Sequence, residues 1–384
     1  MSSKEYQQFL ARSYPSTKEY FNNNQASIPF CSQTIPLSSK AFQSMRFVVE
    51  SLFALKKNSN YKEQILKEAP DFLKKEMLQD AILMAYDFHI DEQGYPRLIE
   101  VNTNASGFLL GNSFYQWKKQ GYQEALESLK LAFQKEWDGY TRGHQLSLLR
   151  PQKVVIIDEK PLEQKMYLEF LMYQDFFQSM GWQVEICDSS SIKSNEEGYL
   201  LGDQGEQIDF IYNRSTDFYF KNHPHLLKAY QRGTCCISPH PREYFLLSDK
   251  KRLADWFANS EAWQLKDLKK YLIPSYLSDA VDLEQIWSDK KKYFFKPLEG
   301  YGGKGSYKGA SITHKKWAEL CKSSFLIQEY VPTSYSQNSQ GEKWKVDFRA
   351  FVYRQEIQQV MARCYKGQMT NFREPGSGWA LVDR

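Results

Sequence analysis

A glycine-rich segment, Gly300-Tyr301-Gly302-Gly303-Lys304-Gly305, is the densest glycine cluster of the 384-residue sequence. Glycines allow backbone N–H groups to turn towards phosphate oxygens and to approach them closely. Gly300, Gly302 and Gly305 satisfy GxGxxG, but the dinucleotide fingerprint requires a helix next, whereas SYKGASIT predicts a strand. The segment is therefore predicted to be the tip of a hairpin, either one that closes over phosphates or a plain glycine-rich turn.

A second candidate site lies in AYDFHID and RLIEVNTN, two strand-like runs on either side of the turn-forming sequence EQGYP. Glu100 and Asn102 are two residues apart and therefore share one face of a strand, and Asp87 lies on the partner strand. Two carboxylates and an amide oxygen that converge from a rigid hairpin suit a hard cation such as Mg²⁺. The alternative is a surface hairpin with scattered acidic residues.

The elements that must position these residues fall into three zones. Residues 1–37 are polar and predict an arm or an irregular wrap, and the rest of zone 1–150 has mostly helical periodicity around the hairpin. In residues 151–240, KVVIIDE, a helix over 162–180, QVEIC and IDFIYNRS predict a small parallel α/β domain. Residues 241–384 contain the strand-like runs KYFFKP, FLIQEYVP, FRAFVY and IQQVMARCY, which predict an α+β region.

Composition excludes several classes of protein. The 50 Lys and Arg against 46 Asp and Glu give a net charge of +4, too weak and mixed for a nucleic-acid stripe or a polybasic anchor. No apolar run approaches the ~20 residues of a membrane helix, and the first residues lack a secretory apolar stretch. Six cysteines without CxxC spacing indicate reduced thiols. We therefore expect a cytoplasmic protein that binds neither nucleic acid nor a membrane.

Together these segments resemble the ATP-grasp superfamily of carboxylate–amine ligases over most of the chain. SDKKRLADWF with YLIPSYL resembles its Asp-Lys element, YFFKPLEGYGGKGS its Lys-Pro and glycine lid, and FLIQEYVP its adenine hinge. VDFRAFVY and VMARCYKGQMTNFREPGSG resemble its Asp-x-Arg strand and its Arg…Asn small loop. The resemblance implies an α/β and α+β ATP-grasp fold with a small parallel α/β pre-ATP-grasp domain.

The order of the motifs differs from that of a usual member, in which the metal-binding strand pair comes last. Here DFHIDEQGYPRLIEVNTN lies near the N-terminus, so the sequence resembles a circularly permuted ATP-grasp protein. Permutation preserves a fold whose original termini lie near each other. On this basis 1–150 would carry the permuted C-terminal part, 151–240 the small substrate domain and 241–384 the ATP-binding part.

The resemblance implies a role for each matching residue. The candidates for nucleotide binding are Lys250 (with Lys251 as its competitor) and Lys296 at the phosphates, Gly302, Gly303 and Gly305 in the lid, Gln328, Glu329 and Val331 at the adenine, and Asp347 at the ribose. The candidates for one or two Mg²⁺, or Mn²⁺ in their place, are Asp87, Glu100 and Asn102. The catalytic candidates are Arg363, Lys296 and Asn371. The substrate-binding candidates are Asn104, Arg214, Arg349 and Arg373, with a surface or interdomain ion pair as the alternative for Arg214.

The implied reaction is phosphoryl transfer from MgATP to a substrate carboxylate, followed by attack of an amine on the acyl phosphate and release of ADP and phosphate. The implied partners are a small-molecule or peptide carboxylate and an amine; the oligomeric state stays open, and a dimer is compatible with the sequence. The alternatives are an ATP-grasp kinase and a nucleotide-binding module without turnover. One departure is Ala85, because D-alanine–D-alanine ligase has an arginine two residues before the metal aspartate.

Overall fold

The computed structural model describes residues 3–23, 28–120, 123–300, 305–338, 340–372 and 374–384. The predicted site residues Gly302, Gly303 and Arg373 lie outside the described residues. Among the described helices, none combines the length and the apolar character that are required to cross a lipid bilayer.

The helices and strands of the described residues have the following bounds. The α-helices are Ser3–Ser13 (α1), Thr17–Asn23 (α2), Ser39–Lys57 (α3), Ser59–Leu66 (α4), Phe108–Trp117 (α5), Gln123–Gly143 (α6), Tyr167–Ser179 (α7), Pro224–Arg232 (α8), Pro241–Glu243 (α9), Lys251–Ala258 (α10), Leu283–Ser288 (α11) and His314–Leu320 (α12). The strands are Phe30–Pro36 (β1), Met84–Ile90 (β2), Pro96–Asn102 (β3), Lys153–Asp158 (β4), Gln183–Asp188 (β5), Lys193–Ser194 (β6), Leu200–Leu201 (β7), Phe210–Asn213 (β8), Cys236–Ser238 (β9), Ser275–Leu277 (β10), Tyr293–Pro297 (β11), Tyr307–Lys308 (β12), Phe325–Glu329 (β13), Ser334–Gln337 (β14), Lys343–Tyr353 (β15), Glu356–Tyr365 (β16) and Gly378–Asp383 (β17).

The largest sheet has seven strands and includes both the first and the last of the described strands. Its order is β1-β17-β16-β15-β2-β3, and β14 also pairs with β15. The predicted hairpin is confirmed as the antiparallel pair β2–β3, and β2 lies antiparallel to β15. The sheet therefore places the early acidic hairpin directly beside the late strand that carries the Asp-x-Arg sequence.

Residues 1–37 were predicted to be an arm or an irregular wrap, and the irregular alternative is wrong for the described residues. This segment forms α1, α2 and β1, and β1 pairs in parallel with β17. Its few apolar side chains share one helix face: Tyr6 and Leu10 are four residues apart and both are buried. The Tyr6 ring packs edge-on against Phe30 at 5.0 Å between centroids. The average composition of this segment is polar, so the narrow apolar stripe was not evident from composition alone.

The predicted small parallel α/β domain contains a four-stranded sheet in the order β5-β4-β8-β9, with every pair parallel. Alternate residues of β4 face opposite cores: Val154 and Ile156 join the cluster with Phe177 of α7, whereas Val155 joins the one with Leu226 of α8. Burial on both faces explains the unbroken apolar run of this strand. The carboxyl ends of β4 and β8 lead directly to acidic and basic side chains of the site described below.

The third sheet is antiparallel, in the order β10-β13-β11-β12. The predicted glycine hairpin is confirmed, because β11 pairs with β12 on either side of the glycine-rich segment. The predicted strand over SYKGASIT is only Tyr307–Lys308, and a 3-10 turn, Gly309–Ser311, follows it. A Cβ atom at Gly309 would lie 1.8 Å from the carbonyl oxygen of Lys290, so the chain turns here against another backbone segment.

A buried carboxylate fixes the start of α5, which follows the acidic hairpin. Glu169 of α7 accepts hydrogen bonds from the backbone N–H of Gly107, at 3.0 and 2.8 Å, and from that of Leu109, at 3.0 Å. Gly107 has a φ of +103°, and a Cβ atom added to it would lie 2.2 Å from the ring of Trp379 on β17. Both the backbone conformation and the close approach therefore require glycine.

We expect Gly107→Ala to lower the free energy of unfolding by about 2–5 kcal/mol, because it adds left-handed strain and an overpacked contact. Gly205→Ala is the matched control, since Gly205 has a φ of +82° and nothing within 4 Å of its added Cβ. The control should cost only about 1–2 kcal/mol. Chemical denaturation of both variants measures the difference, and equal losses would contradict the steric argument.

Candidate active site

A cleft of approximately 760 Å³ is lined by residues from the three larger sheets. It brings together most of the site residues that were predicted from the sequence and lie in the described part of the chain. These are Asp87, Glu100, Asn102, Asn104, Arg214, Lys250, Lys296, Gln328, Glu329, Val331, Asp347, Arg349, Arg363 and Asn371. Gly305 and Lys251 do not line the cleft, although Gly300 and Ser306 of the glycine hairpin do.

A β-bulge in the acidic hairpin connects two of the sheets. Asp87 pairs with Glu100 but Phe88 pairs with Leu98, so that Ile99 is an extra residue in β3. The carbonyl oxygen of Ile99 accepts hydrogen bonds from Lys296 Nζ of β11, at 3.0 Å, and from Gln328 Nε2 of β13, at 3.4 Å. The bulge therefore holds the adenine-hinge and lysine candidates against the metal-site candidates.

Two of the lysines that line the cleft, Lys250 and Lys296, are removed from solvent to a large extent. Lys296 is buried, and Lys250 donates to the carbonyl oxygens of Leu298, at 3.4 Å, and Gly300, at 2.7 Å, at the base of the glycine hairpin. Burial lowers the pKa of both lysines, and nearby Glu100 only partly opposes this effect. The site thus contains two partly desolvated cations, which an anionic ligand would stabilise.

The segment that follows β13 lies against the acidic hairpin. His89 Nδ1 donates to the carbonyl oxygen of Val331 at 2.9 Å, and Gln328 Nε2 donates to Ser275 Oγ at 3.3 Å. Burial lowers the pKa of His89, which favours its neutral imidazole. Sequence reasoning missed His89, although its position two residues after Asp87 on one strand places both on the same face.

An ion-pair network crosses three strands at the side of the cleft. Arg349 donates from Nε to Asp87 Oδ1 and from Nη2 to Asp87 Oδ2, both at 2.7 Å, and Arg363 Nη2 lies 3.1 Å from Oδ2. Arg363 Nε also donates to Asp347 Oδ1 at 2.5 Å, and Thr370 donates to Asp347 Oδ2 at 2.5 Å. Burial opposes ionisation of Asp87, but the two guanidinium groups hold its pKa below the usual range.

The metal-site candidates differ in their surroundings. Glu100 and Asn102 are only partly buried and adjacent, with Asn102 Nδ2 at 3.4 Å from Glu100 Oε1. Their carboxylate and amide oxygens fit a Mg²⁺ ion that keeps waters and phosphate oxygens as its other ligands. Both oxygens of Asp87 already contact guanidinium groups. Over the described part of the chain, no group of three His, Cys, Asp or Glu side chains is arranged to hold a metal ion.

The small parallel sheet contributes the opposite side of the cleft. Arg214 is buried at the end of β8 and donates to Ala105 O at 3.0 Å and to Ser106 Oγ at 2.5 Å. Asn104 Nδ2 in turn donates to the carbonyl oxygens of Arg214 and Ser215, at 3.2 and 3.0 Å. These two substrate candidates therefore connect the small sheet to the segment after β3, while Arg214 Nε has no protein acceptor among the described residues.

Three acidic residues that sequence reasoning missed also line the cleft. They are Asp158 at the end of β4, and Glu159 and Glu163 in the turn after it. Burial raises the pKa of Asp158 to about 6. A signal was present in the sequence, because the carboxyl ends of parallel strands are where such sheets usually bind ligands.

No protein-family model and no curated protein matches the sequence of this chain. Among solved structures, a glutathione synthetase-like effector (GSS30) from Globodera pallida in its apo form is similar, with a TM-score of 0.58 and 10% identity over 100% of this chain and 97% of that chain. A putative gamma-glutamylcysteine synthetase from Methylobacillus flagellatus has a TM-score of 0.48 and 11% identity, over 88% of this chain and 86% of that chain.

A third solved structure, the ATP-grasp ligase PsnB bound to a minimal precursor, has a TM-score of 0.26 and 12% identity over 56% of this chain and 77% of that chain. The first likeness extends over both whole chains and shows a shared fold. The circular permutation of the motifs stays a prediction. The mixed α/β architecture and this end-to-end likeness confirm the fold expected from the motifs.

Proposed function

We propose that this protein is an ATP-dependent ligase that activates a substrate carboxylate as an acyl phosphate and joins it to an amine. One observation carries the proposal. Lysines, three arginines and the Glu100–Asn102 pair come from distant parts of the chain and line a single cleft; among the lysines are Lys250 and Lys296. Phosphoryl transfer depends mostly on positioning and on stabilising negative charge, which is what such a set of groups provides.

Each group has a part in the proposed reaction. Lys250 and Lys296 bind the ATP phosphates as point charges, and the hinge after β13 receives the adenine. Glu100 and Asn102 would hold Mg²⁺, which would neutralise charge on the phosphates when bound. Arg363 faces the transferred phosphoryl group and the tetrahedral oxyanion that forms when the amine attacks. Asn371, which also lines the cleft, orients the substrate.

The end of the cleft at the small parallel sheet receives the substrates in this proposal. Arg214 and Arg349 supply positive charge for the substrate carboxylate, because guanidinium groups match carboxylates in geometry. The glycine hairpin covers the phosphates and excludes the water that would hydrolyse an acyl phosphate.

The products of turnover test the proposal. The protein is incubated with MgATP and a pool of amino acids, short peptides and polyamines, and ADP, AMP and phosphate are quantified. Equal release of ADP and phosphate, only with both acid and amine present, supports a ligase; hydroxylamine in place of the amine should then yield a hydroxamate from the acyl phosphate. ADP without phosphate indicates the kinase alternative, and AMP contradicts the acyl-phosphate route.

The two neighbouring lysines provide a matched test of nucleotide binding. Lys250 lines the cleft, whereas Lys251 is exposed outside it. We expect Lys250→Ala to weaken ADP binding about tenfold, because a charged contact to phosphate is lost, and Lys251→Ala to change it by less than about twofold. Isothermal titration calorimetry measures both affinities. Equal effects of the two substitutions would contradict the assignment of Lys250.

The lowered pKa values of the cleft lysines predict how pH affects nucleotide binding. Only the protonated amines attract phosphate, and burial shifts the pKa of Lys250 and Lys296 below the ordinary value of 10.5. The affinity for ADP should therefore fall as pH rises through a range below 10.5, where ordinary lysines remain charged. Titrations from neutral to alkaline pH measure this loss. It should be shallower in Lys296→Met, which lacks one titrating amine; an unchanged slope would contradict the role of Lys296.

A further inference from the structure

We propose that Asp87 is not a metal ligand but a positioning residue: a buried counter-ion that holds Arg349 and Arg363 side by side, facing the reacting groups. The inference rests on the proposed ligase function for the role of the arginines. The positioning role replaces the metal-binding role that the sequence motif suggests for Asp87. Glu100 and Asn102 remain the candidates for binding Mg²⁺.

The hydrogen-bonding capacity of Asp87 supports this role. A carboxylate has about four lone-pair positions on its two oxygens. Arg349 occupies one position on each oxygen at 2.7 Å, and Arg363 approaches Oδ2 at 3.1 Å. The Asp87 side chain is only 3% exposed, so these contacts replace its hydration. A two-pronged contact of this kind fixes the plane of the Arg349 guanidinium as well as its position.

Electrostatics argues against an additional cation at Asp87. A divalent ion in contact with this carboxylate would lie beside two guanidinium groups in a buried region, where like charges repel strongly. Displacing Arg349 would instead separate a largely buried guanidinium from the carboxylate that it pairs with, which is costly. Glu100 has a different environment, because it is partly exposed to the cleft and its nearest hydrogen-bond partner is an amide.

The strand register explains why this carboxylate can organise both arginines. Asp87 on β2 lies opposite Arg349 on β15, and Asp347 of β15 lies opposite Arg363 on β16. The two arginines therefore converge on one carboxylate between them, which offsets their mutual repulsion. Without it they would separate, and a preorganised pair of donors for the carboxylate and the phosphoryl group would be lost.

The test compares Asp87→Asn with Glu100→Gln, since both substitutions remove one charge and keep the size of the side chain. Binding of Mn²⁺ to the protein–ADP complex is measured by electron paramagnetic resonance, and kcat and KM are measured for the acid and for ATP. We expect Asp87→Asn to bind Mn²⁺ within about twofold of the unchanged protein, while Glu100→Gln loses about tenfold or more. Asp87→Asn should lower kcat/KM for the acid about 100-fold and leave the KM for ATP nearly unchanged.

A loss of Mn²⁺ binding in Asp87→Asn as large as that in Glu100→Gln would overturn the inference. If Asp87→Asn does not fold, Arg349→Gln decides the question. A metal-binding Asp87 relieved of one guanidinium would bind Mn²⁺ more tightly, whereas a positioning Asp87 leaves the affinity unchanged. Mn²⁺ binding is measured without turnover, so it tests the role of Asp87 even if no ligase substrate is found. Failure of the inference can therefore be distinguished from failure of the proposed function.

Discussion

The site depends on the pairing of β2 with β15, which places Asp87 opposite Arg349 although the two residues are 262 positions apart. A buried ion pair is stable only with close geometry and satisfied hydrogen bonds. Both conditions are met by the two 2.7 Å contacts between these side chains. The seven-stranded sheet must therefore form with this register before the arginines, the acidic hairpin and the lysines can face one cleft.

The cleft is electrostatically unfavourable without a ligand, and the rest of the fold compensates for it. Burial lowers the pKa of Lys250 and Lys296, which means that their charged forms are stabilised less than in water. The surrounding core is extensive: fully buried Met45, Val48 and Val49 of α3 pack beneath the seven-stranded sheet. Apolar burial of this extent offsets the free-energy cost of desolvating two cations. The positive groups are therefore already in position when an anionic ligand binds.

Local patterns predicted the individual parts of the site, and tertiary pairing decided how they meet. The two-residue spacing of Glu100 and Asn102 and the turn before them were sufficient to predict the hairpin. The bulge at Ile99 was not predictable, because it is defined only by pairing with β2 and by the side chains that contact its carbonyl oxygen. The contact of Asp87 with Arg349 is likewise non-local, so motif spacing favoured a metal role where the structure shows an ion pair.

The contacts that join the glycine hairpin to its surroundings differ in kind from those that hold the arginines. Lys221 of the small domain reaches Glu299 at 2.9 Å, but both side chains are largely exposed, and such pairs contribute only about 0.2–1 kcal/mol. Ser311 reaches Gln368 at 2.8 Å, also at the surface. The groups proposed to act on the carboxylate are thus fixed within a buried sheet, whereas Glu299 and Ser311, on either side of the glycine-rich segment, make exposed contacts.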